Sequence, residues 1–398
     1  MTFPTRPRNG EAPGTADSEP YRVLLVDDSA VYRGLVRREI AKCPDIAVVG
    51  ACGDGASAVR TLRTTEVDVV VLDIEMPVMD GLTALPQLIE ARPTAKVIMA
   101  STLTERNADI SLRALQMGAA ETIAKPTSTG LGSDAERFVE ELIRKIRALG
   151  DAARRAQVRL ERRAATGLAS RPAVPAARAR ASAVAEAGTG QTGADYTLRP
   201  APTRAPTLIA IGSSTGGPKA LITMLETMTK TVRVPIVITQ HMPATFTSIL
   251  AAHIARATGR KTFEATEGMP VHAEHIYIAP GDFHMTLRRD ARGGITLHLD
   301  QGPPENFCRP AVDPMLRSVA TTFGPNALAI ILTGMGHDGA KGAKDLVAAG
   351  GSVIAQDQAT SVVWGMPQAA AKTGVCSAVL PLEEIAPYVA KLAMRHAA

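Results

Sequence analysis

The sequence predicts an α/β protein made of two domains, each built around a parallel sheet. Short apolar runs alternate with stretches whose apolar residues recur every three to four positions. This alternation stops near residue 150 and resumes near residue 207. Because strands that alternate with helices form parallel sheets covered on both faces, each half is expected to be an α/β layer structure. A chain of 398 residues is long enough for two such cores.

The predicted strands can be read from the apolar runs. In residues 21–148 they are YRVLLVDDS, VDVVVLDIEMP, AKVIMAST and AETIAKP. In residues 207–398 they are TLIAIG, VPIVITQHM, HIYIAP, GITLHLD, ALAIILTG and GSVIAQD. Helical patterns such as AVYRGLVRREIAK and GGPKALITMLETM lie between them. We therefore expect two α/β domains, the second with a mainly parallel sheet.

Two other segments have a different composition. Residues 1–20 are rich in Pro, Gly and charge, which predicts a disordered tail without a secretory signal. Residues 149–206 begin as an Arg- and Ala-rich stretch that can extend the preceding helix, then become rich in Pro, Gly and Ala. This pattern is typical of a tethering linker, with partner docking as the less favoured alternative.

The charge distribution bears on possible partners. Residues 151–206 contain ten arginines and four acidic residues, a net charge of +6 in a chain whose net charge is +5. Both domains are therefore close to neutral, and aromatic residues make up only 3% of the chain, so we expect no nucleic-acid partner. The absence of a long apolar run predicts no membrane insertion. Four scattered cysteines favour a reducing cytoplasm and no zinc site.

The first domain carries a group of carboxylates at predicted strand ends. Asp27 and Asp28 follow one apolar run, and Asp73 follows another. Carboxyl ends of parallel strands are where ligands bind, and clustered carboxylates attract a hard cation such as Mg²⁺. Ser101 and Lys125 end two further strands and can contact a phosphoryl group. Taken alone, each Asp is most often a turn or capping residue, but together they suit phosphoryl transfer to Asp73.

The second domain carries a serine, a histidine and an aspartate in three loops after predicted strands. They lie in IGSSTGGPKAL, VITQHMP and TGMGHDGAKGA. Serine needs a base, and the base needs a carboxylate, so His241 and Asp338 suit nucleophilic catalysis by Ser213 or Ser214. The small-residue loop also allows a phosphate-binding site, although it lacks the G-K-[ST] and G-x-G-x-x-G patterns. Taken alone, His241 is more often a structural residue at a strand end, and Asp338 is more often a turn residue.

The carboxylate group, the segment M-P-x-M-D-G, Ser101 and the Lys-Pro pair resemble the response-regulator receiver domain over residues 21–148. The resemblance implies a doubly wound, flavodoxin-like fold in which Asp73 accepts phosphate from a histidine kinase. It also implies a Mg²⁺ site formed by Asp28, Asp73 and the carbonyl of Glu75, with Asp27 nearby. Many receivers have an aromatic residue three positions before the lysine. Here Thr122 occupies that position, so aromatic gating of the output surface is not expected.

The segments IGSSTGG, ITQHMP, IYIAPGDFHM, RPAVDPMLRSVA and TGMGHDGA resemble the catalytic domain of chemotaxis protein-glutamate methylesterases, the CheB family. The resemblance selects Ser214 as nucleophile, with His241 as general base and acid and Asp338 as the orienting carboxylate. It also implies that Met335 supplies an oxyanion donor and Thr215 lines the pocket. Arg309 is a weaker candidate for substrate contact. Family members often have a histidine at the position of Cys308. His337, next to Asp338, is an alternative to His241 as the histidine of the triad.

The same resemblance implies the activity and its regulation. The expected reaction is hydrolysis of glutamate γ-methyl esters, and deamidation of glutamines, on methyl-accepting chemoreceptors, with no cofactor for the esterase step. The unphosphorylated receiver is expected to cover the esterase cleft. The alternative from another class is a non-catalytic two-component regulator whose second domain binds a nucleotide or a partner protein.

Overall fold

The structure is a computed structural model that describes residues 19–102, 104–126, 133–165 and 196–394. Nearly all of the predicted tail, residues 1–20, and the central part of the predicted linker lie outside these ranges. Among the described helices, none combines the length and the apolar composition that a membrane crossing requires.

The N-terminal domain is a doubly wound parallel sheet. Its strands are β1 (Tyr21–Val26), β2 (Ile46–Cys52), β3 (Val69–Asp73), β4 (Lys96–Ser101) and β5 (Glu121–Ala124). They pair in the order β2-β1-β3-β4-β5, with every pair parallel, which confirms the flavodoxin-like fold class. All five residues of β3 are buried, as expected for the central strand of a sheet covered on both faces.

Five helices cover the N-terminal sheet: α1 (Ala30–Ile40), α2 (Gly55–Thr64), α3 (Gly81–Ala91), α4 (Glu105–Met117) and α5 (Ser133–Ala165). Side chains at the N-caps explain where the first four begin. Ser29, Asp54, Asp80 and Thr104 each accept a hydrogen bond from a backbone N–H in the first turn. The short connections that these caps create at the carboxyl ends of the strands hold the carboxylates of the first site.

The C-terminal domain has a seven-stranded parallel sheet in the order β14-β13-β12-β6-β7-β9-β8. Its strands are β6 (Leu208–Ser213), β7 (Ile236–Gln240), β8 (Thr262–Glu264), β9 (Ile276–Ile278), β12 (Ala327–Ile331), β13 (Ser352–Gln356) and β14 (Cys376–Leu380). A separate antiparallel hairpin is formed by β10 (His284–Arg289) and β11 (Ile295–Asp300). The mainly parallel sheet predicted for this domain is thereby confirmed.

The helices of the C-terminal domain are α6 (Gly217–Met228), α7 (Ala244–Thr258), α8 (Val312–Thr322), α9 (Ala340–Ala348), α10 (Met366–Lys372) and α11 (Leu382–Met394). Strands β6, β7 and β12 are neighbours at the centre of the sheet and are wholly buried. Their carboxyl ends therefore meet, and they bring together the loops that follow residues 213, 240 and 331.

The segment between the domains is structured at both ends. Helix α5 continues beyond residue 149 to Ala165, so the Arg- and Ala-rich stretch does extend the preceding helix. On the other side, the Arg199 backbone N–H donates to the Cys376 carbonyl at 2.9 Å, and the Tyr196 ring meets Trp364 edge-on. Residues 196–206 thus lie along the C-terminal domain.

The two domains pack directly against each other through α4 and α7. His253 on α7 is buried, and its Nε2 lies 2.8 Å from Asp109 Oδ1 on α4. Its Nδ1 lies 3.1 Å from the side-chain amide nitrogen of Gln116, also on α4. Both ring nitrogens of this one histidine are thereby used across the domain interface.

Candidate active site and phosphorylation site

The two adjacent serines at the end of β6 have different environments. Ser213 is completely buried, and its hydroxyl donates to Gln240 Oε1 at 2.7 Å. Ser214 is half-buried and lines a cleft between the two domains, with a volume of about 570 Å³. The side chain of Ser213 is therefore committed to the protein interior, whereas that of Ser214 faces the space where a substrate can lie.

Glycines hold the Ser214 loop in a tight turn. Gly216 has φ of +77°, a conformation that L side chains rarely adopt. The Gly217 N–H donates to the Ser214 carbonyl at 2.7 Å, and a Cβ on Gly217 would meet Gln240 Oε1 at 2.0 Å. On the other side, the Ser214 N–H donates to the Thr333 carbonyl at 3.0 Å. The turn is thus fixed against both neighbouring strands.

Gln240 is a positioning residue that the sequence reasoning did not identify. Its amide nitrogen donates to the carbonyl of Ser214 at 3.0 Å and to that of His241 at 3.1 Å. Its amide oxygen accepts the hydroxyl of Ser213. One buried side chain therefore links the serine loop to the histidine loop. Only one indication of this role was available in the sequence: Gln240 is the last residue of β7 and directly precedes His241.

His241 and Asp338 form a close pair. His241 Nε2 lies 2.7 Å from Asp338 Oδ2, and the two side chains are only 10% and 2% exposed. Since an ionised carboxylate can only accept hydrogen bonds, Nε2 carries the proton and donates it, and Nδ1 is left as the basic nitrogen. This is the arrangement that fixes the tautomer of a general base.

Asp338 is held by the amino end of helix α8. Its Oδ2 accepts from the Val312 N–H at 2.6 Å, and its Oδ1 accepts from the N–H groups of Asp313 at 3.1 Å and Gly339 at 2.9 Å. The side-chain amide of Asn306 donates to the same Oδ1 at 2.8 Å. The carboxylate is therefore fixed by four donors besides the histidine, and the helix dipole favours its negative charge.

The pKa values of the pair move in opposite directions. Burial alone would lower the pKa of His241, but its hydrogen bonds to Asp338 and Cys308 and the Asp338 charge raise it above its ordinary value. Burial would raise the pKa of Asp338, but the hydrogen bonds to His241 and to backbone N–H groups hold it below its ordinary value. Each shift favours the charged form of the residue, so the pair is built to accept a proton on the histidine.

The basic nitrogen of His241 contacts a thiol in this structure. Nδ1 lies 3.4 Å from Cys308 Sγ, which is close enough for a weak hydrogen bond. Among the hydrogen bonds of the described residues, none joins the Ser214 hydroxyl to His241. His337 also lines the cleft but is exposed and has no described hydrogen bond to the pair. The structure brings Ser214, His241 and Asp338 into one cleft, but Ser214 and His241 are not hydrogen-bonded to each other among the described contacts.

One backbone group beside Ser214, the N–H of Met335, suits an oxyanion site. Met335 and Thr215 both line the cleft, and Met335 precedes Gly336, whose φ is +85°. Among the described hydrogen bonds, the N–H of Met335 has no acceptor. Gly334, one residue before Met335, lies so close that an added Cβ would meet Ser214 Cβ at 2.9 Å. The predicted donor loop therefore lies directly against the serine.

Arg309, the weaker candidate for substrate contact, lines the cleft, but its guanidinium is engaged within the protein. Its guanidinium binds Asp282 Oδ1 through Nε at 3.0 Å and Nη2 at 2.6 Å, and it also donates to the carbonyls of Gln301 and Gly302. The neighbouring Phe307 is 93% exposed and has φ of +64°. Of the two residues that flank Cys308, the phenylalanine has the free side chain at the mouth of the cleft.

The N-terminal domain supplies one wall of the cleft. The lining residues from this domain belong to β5 and α5: Glu121, Thr122, Ile123, Ala124, Glu141, Arg144 and Lys145. Lys145 Nζ holds this wall together, since it donates to the Thr122 carbonyl at 2.6 Å and forms ion pairs with Glu141 at 3.0 Å and Glu121 at 3.5 Å. Ser214 and His241 therefore face the other domain.

The carboxylates predicted for the first domain also come together. One carboxylate oxygen from each of Asp27, Asp28 and Asp73 lies within 4.8 Å of the others. Lys125 Nζ contacts Asp27 Oδ2 at 2.6 Å and Asp73 Oδ2 at 2.7 Å. Burial raises the pKa of Asp73, as does the Asp27 charge, against the opposing effect of Lys125. Clustered hard oxygen donors of this kind fit Mg²⁺.

The other residues predicted for this site lie around it. Ser101 is buried beside Lys125, whose backbone N–H donates to the Ser101 carbonyl at 2.7 Å, and the Ser101 hydroxyl lies 3.2 Å from that of Ser111. Glu75 is exposed in the loop after β3. Tyr32, which the sequence reasoning did not identify, places its ring 4.7 Å from Lys125 Nζ.

Together the fold and the two sites define a two-domain protein of the response-regulator class, with a carboxylate cluster in the first domain and a serine, a histidine and an aspartate in one cleft of the second. Two family models match the chain: the response regulator receiver domain over residues 23–132 and CheB methylesterase over residues 209–389.

Full-length relatives give the same result. The chain is 55% identical over 381 residues to a protein-glutamate methylesterase/protein-glutamine glutaminase of Paramagnetospirillum magneticum, which covers 95% of this chain and 98% of the relative. It is 53% identical over 395 residues to the protein of that name from Azospirillum brasilense, covering 98% and 96%. A solved structure of the Thermotoga maritima CheB methylesterase catalytic domain is 40% identical, with a TM-score of 0.46, and covers 47% of this chain and 99% of its own. The chain belongs to the CheB protein-glutamate methylesterase family.

Proposed function

We propose that this chain is a phosphorylation-controlled hydrolase that removes methyl groups from glutamate γ-methyl esters of chemoreceptors and deamidates receptor glutamines. The observation that carries the proposal is the cleft in which Ser214 lies with the pre-formed His241–Asp338 pair. The names of relatives more than 50% identical over almost the whole chain support the substrate. Under this proposal the protein works in the cytoplasm, where the methylated receptor helices lie.

The first chemical step is the attack of Ser214 on the ester carbonyl. The hydroxyl proton passes to His241 Nδ1 while Oγ bonds to the carbonyl carbon, and Asp338 stabilises the imidazolium that forms. The substrate or the serine displaces the Cys308 thiol from Nδ1 at this point. The N–H of Met335 and the turn at Thr215 supply donors for the oxyanion.

The second step releases the leaving group and regenerates the enzyme. His241 gives its proton to the methoxide, which leaves as methanol, and the glutamyl group stays on Ser214 Oγ. Water then attacks this acyl-enzyme with His241 as the base, and glutamate is released. A receptor glutamine follows the same route with ammonia as the leaving group. No step requires a cofactor.

Control is proposed to act through β5. Its residues Thr122 and Ala124 line the esterase cleft, and Lys125, the next residue, holds Asp73 and Asp27. A phosphoryl group on Asp73 offers Lys125 a new partner, and this change lies one residue from the wall of the cleft. The phosphodonor is a histidine kinase of the chemotaxis system. Mg²⁺, held by Asp28, Asp73 and the Glu75 carbonyl with Asp27 nearby, would neutralise charge during phosphoryl transfer.

The test is methanol release from methylated receptor membranes, with and without a small-molecule phosphodonor and Mg²⁺. We expect release by the full chain that rises with the phosphodonor, and an Asp73→Asn variant that keeps the basal rate but loses the rise. A chain that releases no methanol under either condition would be a non-catalytic regulator, and the proposal would be wrong.

A further inference from the structure

A second cavity, of about 460 Å³, lies between the two domains about three helical turns further along α5 than the residues that line the esterase cleft. The N-terminal domain contributes the start of β4 and the extension of α5 beyond residue 149. The C-terminal domain contributes the loop that follows β13, residues 358–364. None of the described residues that line this cavity belongs to the two predicted sites, although α5 also lines the esterase cleft nearer its amino end and β4 ends at Ser101.

The charged residues that line this cavity are all basic. They are Lys96 at the start of β4 and Arg155 and Arg159 on α5, which lie one helical turn apart. No carboxylate is among the described residues that line it. Two acidic residues beside the lining residues are engaged elsewhere. Asp68, whose carbonyl accepts from the Lys96 N–H, pairs with Arg22 at 2.9 Å, and Asp357 accepts from the N–H of Thr360 at 2.9 Å.

The three cations have few partners in the described structure. Arg159 donates one hydrogen bond, from Nη1 to the Ala359 carbonyl at 3.1 Å, and this bond crosses the domain interface. Neither Lys96 nor Arg155 has a described side-chain hydrogen bond or ion pair. Burial lowers the pKa of Lys96, and the charges of Arg159 and Arg155 lower it further. The repulsion among these cations would be relieved by an anion in the cavity.

We propose that this cavity binds an anion with two or more negative charges on phosphate groups, and that this anion bridges Lys96, Arg155 and Arg159. Guanidinium groups bind phosphate oxygens in a bidentate manner, and a lysine adds a point charge. Such a ligand would also contact the loop at residues 358–364, so it would hold the two domains together at a place distinct from both catalytic sites.

The test is titration calorimetry of the full chain with inorganic pyrophosphate, in a chelating buffer without Mg²⁺, so that the carboxylates of the first domain do not recruit the ligand through a metal. Saturable binding of one pyrophosphate per chain is expected. The variant Arg155→Gln/Arg159→Gln should bind roughly tenfold more weakly or worse, because it loses charge-assisted hydrogen bonds.

The matched control is Arg60→Gln/Arg63→Gln, which removes the same charge from an exposed face of α2 in the same domain. It should leave the dissociation constant within about twofold of the wild-type value, as expected for distant surface charges. If the control weakens binding as much as the Arg155/Arg159 variant, the attraction is non-specific and the proposal fails. It also fails if the wild-type chain shows no saturable binding.

A second readout needs no variant. Because Lys96 lines the cavity and its pKa is lowered, an amine-directed reagent should label it in the chain without ligand. Pyrophosphate should protect Lys96 and leave the exposed Lys230 unprotected. Equal labelling of Lys96 with and without pyrophosphate would contradict the assignment, even if the calorimetry detected binding somewhere on the chain.

Discussion

The two chemical sites of this protein differ in how completely their groups are brought together. In the receiver domain Lys125 already contacts both Asp27 and Asp73, and the three carboxylates are gathered at one sheet edge. In the esterase domain His241 and Asp338 are fixed, whereas the basic nitrogen of His241 faces Cys308. The groups predicted for the receiver site are thus in contact with one another, whereas the site predicted in the esterase domain lacks the contact between Ser214 and His241.

This difference agrees with the proposed regulation. A receiver must accept phosphate at any time, so its site gains nothing from being incomplete. Under the proposed regulation the esterase works only at its basal rate until Asp73 is phosphorylated, and its cleft is faced by the receiver wall formed by β5 and α5.

The largest effect is expected at Ser214. Ser214→Ala should lower kcat by about 10⁶, because the acyl-enzyme cannot form. The matched control is Ser213→Ala, whose buried hydroxyl only donates to Gln240. The control should keep most of the activity, and methanol release measures both variants. If Ser213→Ala is the inactive variant, the assignment of the nucleophile is wrong.

The next largest effect is expected at Asp338. Asp338→Asn should lower kcat by roughly 10⁴, because an amide cannot fix the His241 tautomer or stabilise the imidazolium. The backbone N–H donors of α8 that bind Asp338 would also lose their carboxylate acceptor. Circular dichroism would establish that the variant is folded. A rate near that of the wild type would mean that the His241–Asp338 pair is structural.

The pH dependence of kcat/KM should report His241. The base must be neutral to accept the serine proton, so activity is lost as the pH falls through its pKa. That pKa is raised above the ordinary value of 6.5, so the acid limb should lie above pH 6.5 and fall about tenfold per pH unit. Asp338→Asn should move the limb towards lower pH. A limb below pH 6 in the wild type would contradict the assigned pair.

A smaller effect is expected at the domain interface. Asp109→Ala removes the carboxylate that contacts His253 across α4 and α7, which should weaken the interface by roughly 1–2 kcal/mol. The basal rate of methanol release should therefore rise severalfold without a phosphodonor. Arg113→Ala, an exposed site on the same helix, is the control and should not change the rate. An unchanged Asp109→Ala rate would show that this contact does not restrain the esterase.

The smallest effect is expected at Cys308. Its thiol occupies Nδ1 of His241 only through a weak hydrogen bond, so Cys308→Ala should change kcat by no more than about threefold. The same methanol assay applies. Complete loss of activity in this variant would instead make the cysteine the nucleophile, since a thiol beside an imidazole is also a catalytic arrangement.

Much of the fold and the positions of the site residues were predictable because they depend on local patterns. A buried strand followed by a polar residue places Asp73, Ser214 and His241 at the carboxyl edges of two parallel sheets, and the structure shows them there. The two sheets follow from the same alternation. Of the antiparallel β10–β11 hairpin, only β11 was predicted. Strand β10, with the sequence HMTLRR, is too polar to be recognised as a strand.

Other features were beyond the reach of the sequence because they depend on contacts between distant segments. Asn306 reaches Asp338 from 32 positions away, and Cys308 reaches His241 from 67. The Arg-rich stretch was expected to extend a helix at the start of a tethering linker, but no pattern predicted that Arg155 and Arg159 would line a cavity against the other domain. The first two contacts are set by the packing of loops within the C-terminal domain and the third by the docking of the two domains, and no local pattern records either.

The central claim, acyl transfer through Ser214, is tested most directly by partitioning with hydroxylamine. Phosphodonor-treated full-length protein is given methylated receptor or glutamine-containing receptor, and the ratio of glutamyl hydroxamate to glutamate is measured for each. Since both substrates are expected to form the same glutamyl-Ser214, the two ratios should be equal, and Ser214→Ala should form neither product. Ratios that differ between the two leaving groups, or hydroxamate formed by Ser214→Ala, would contradict the account.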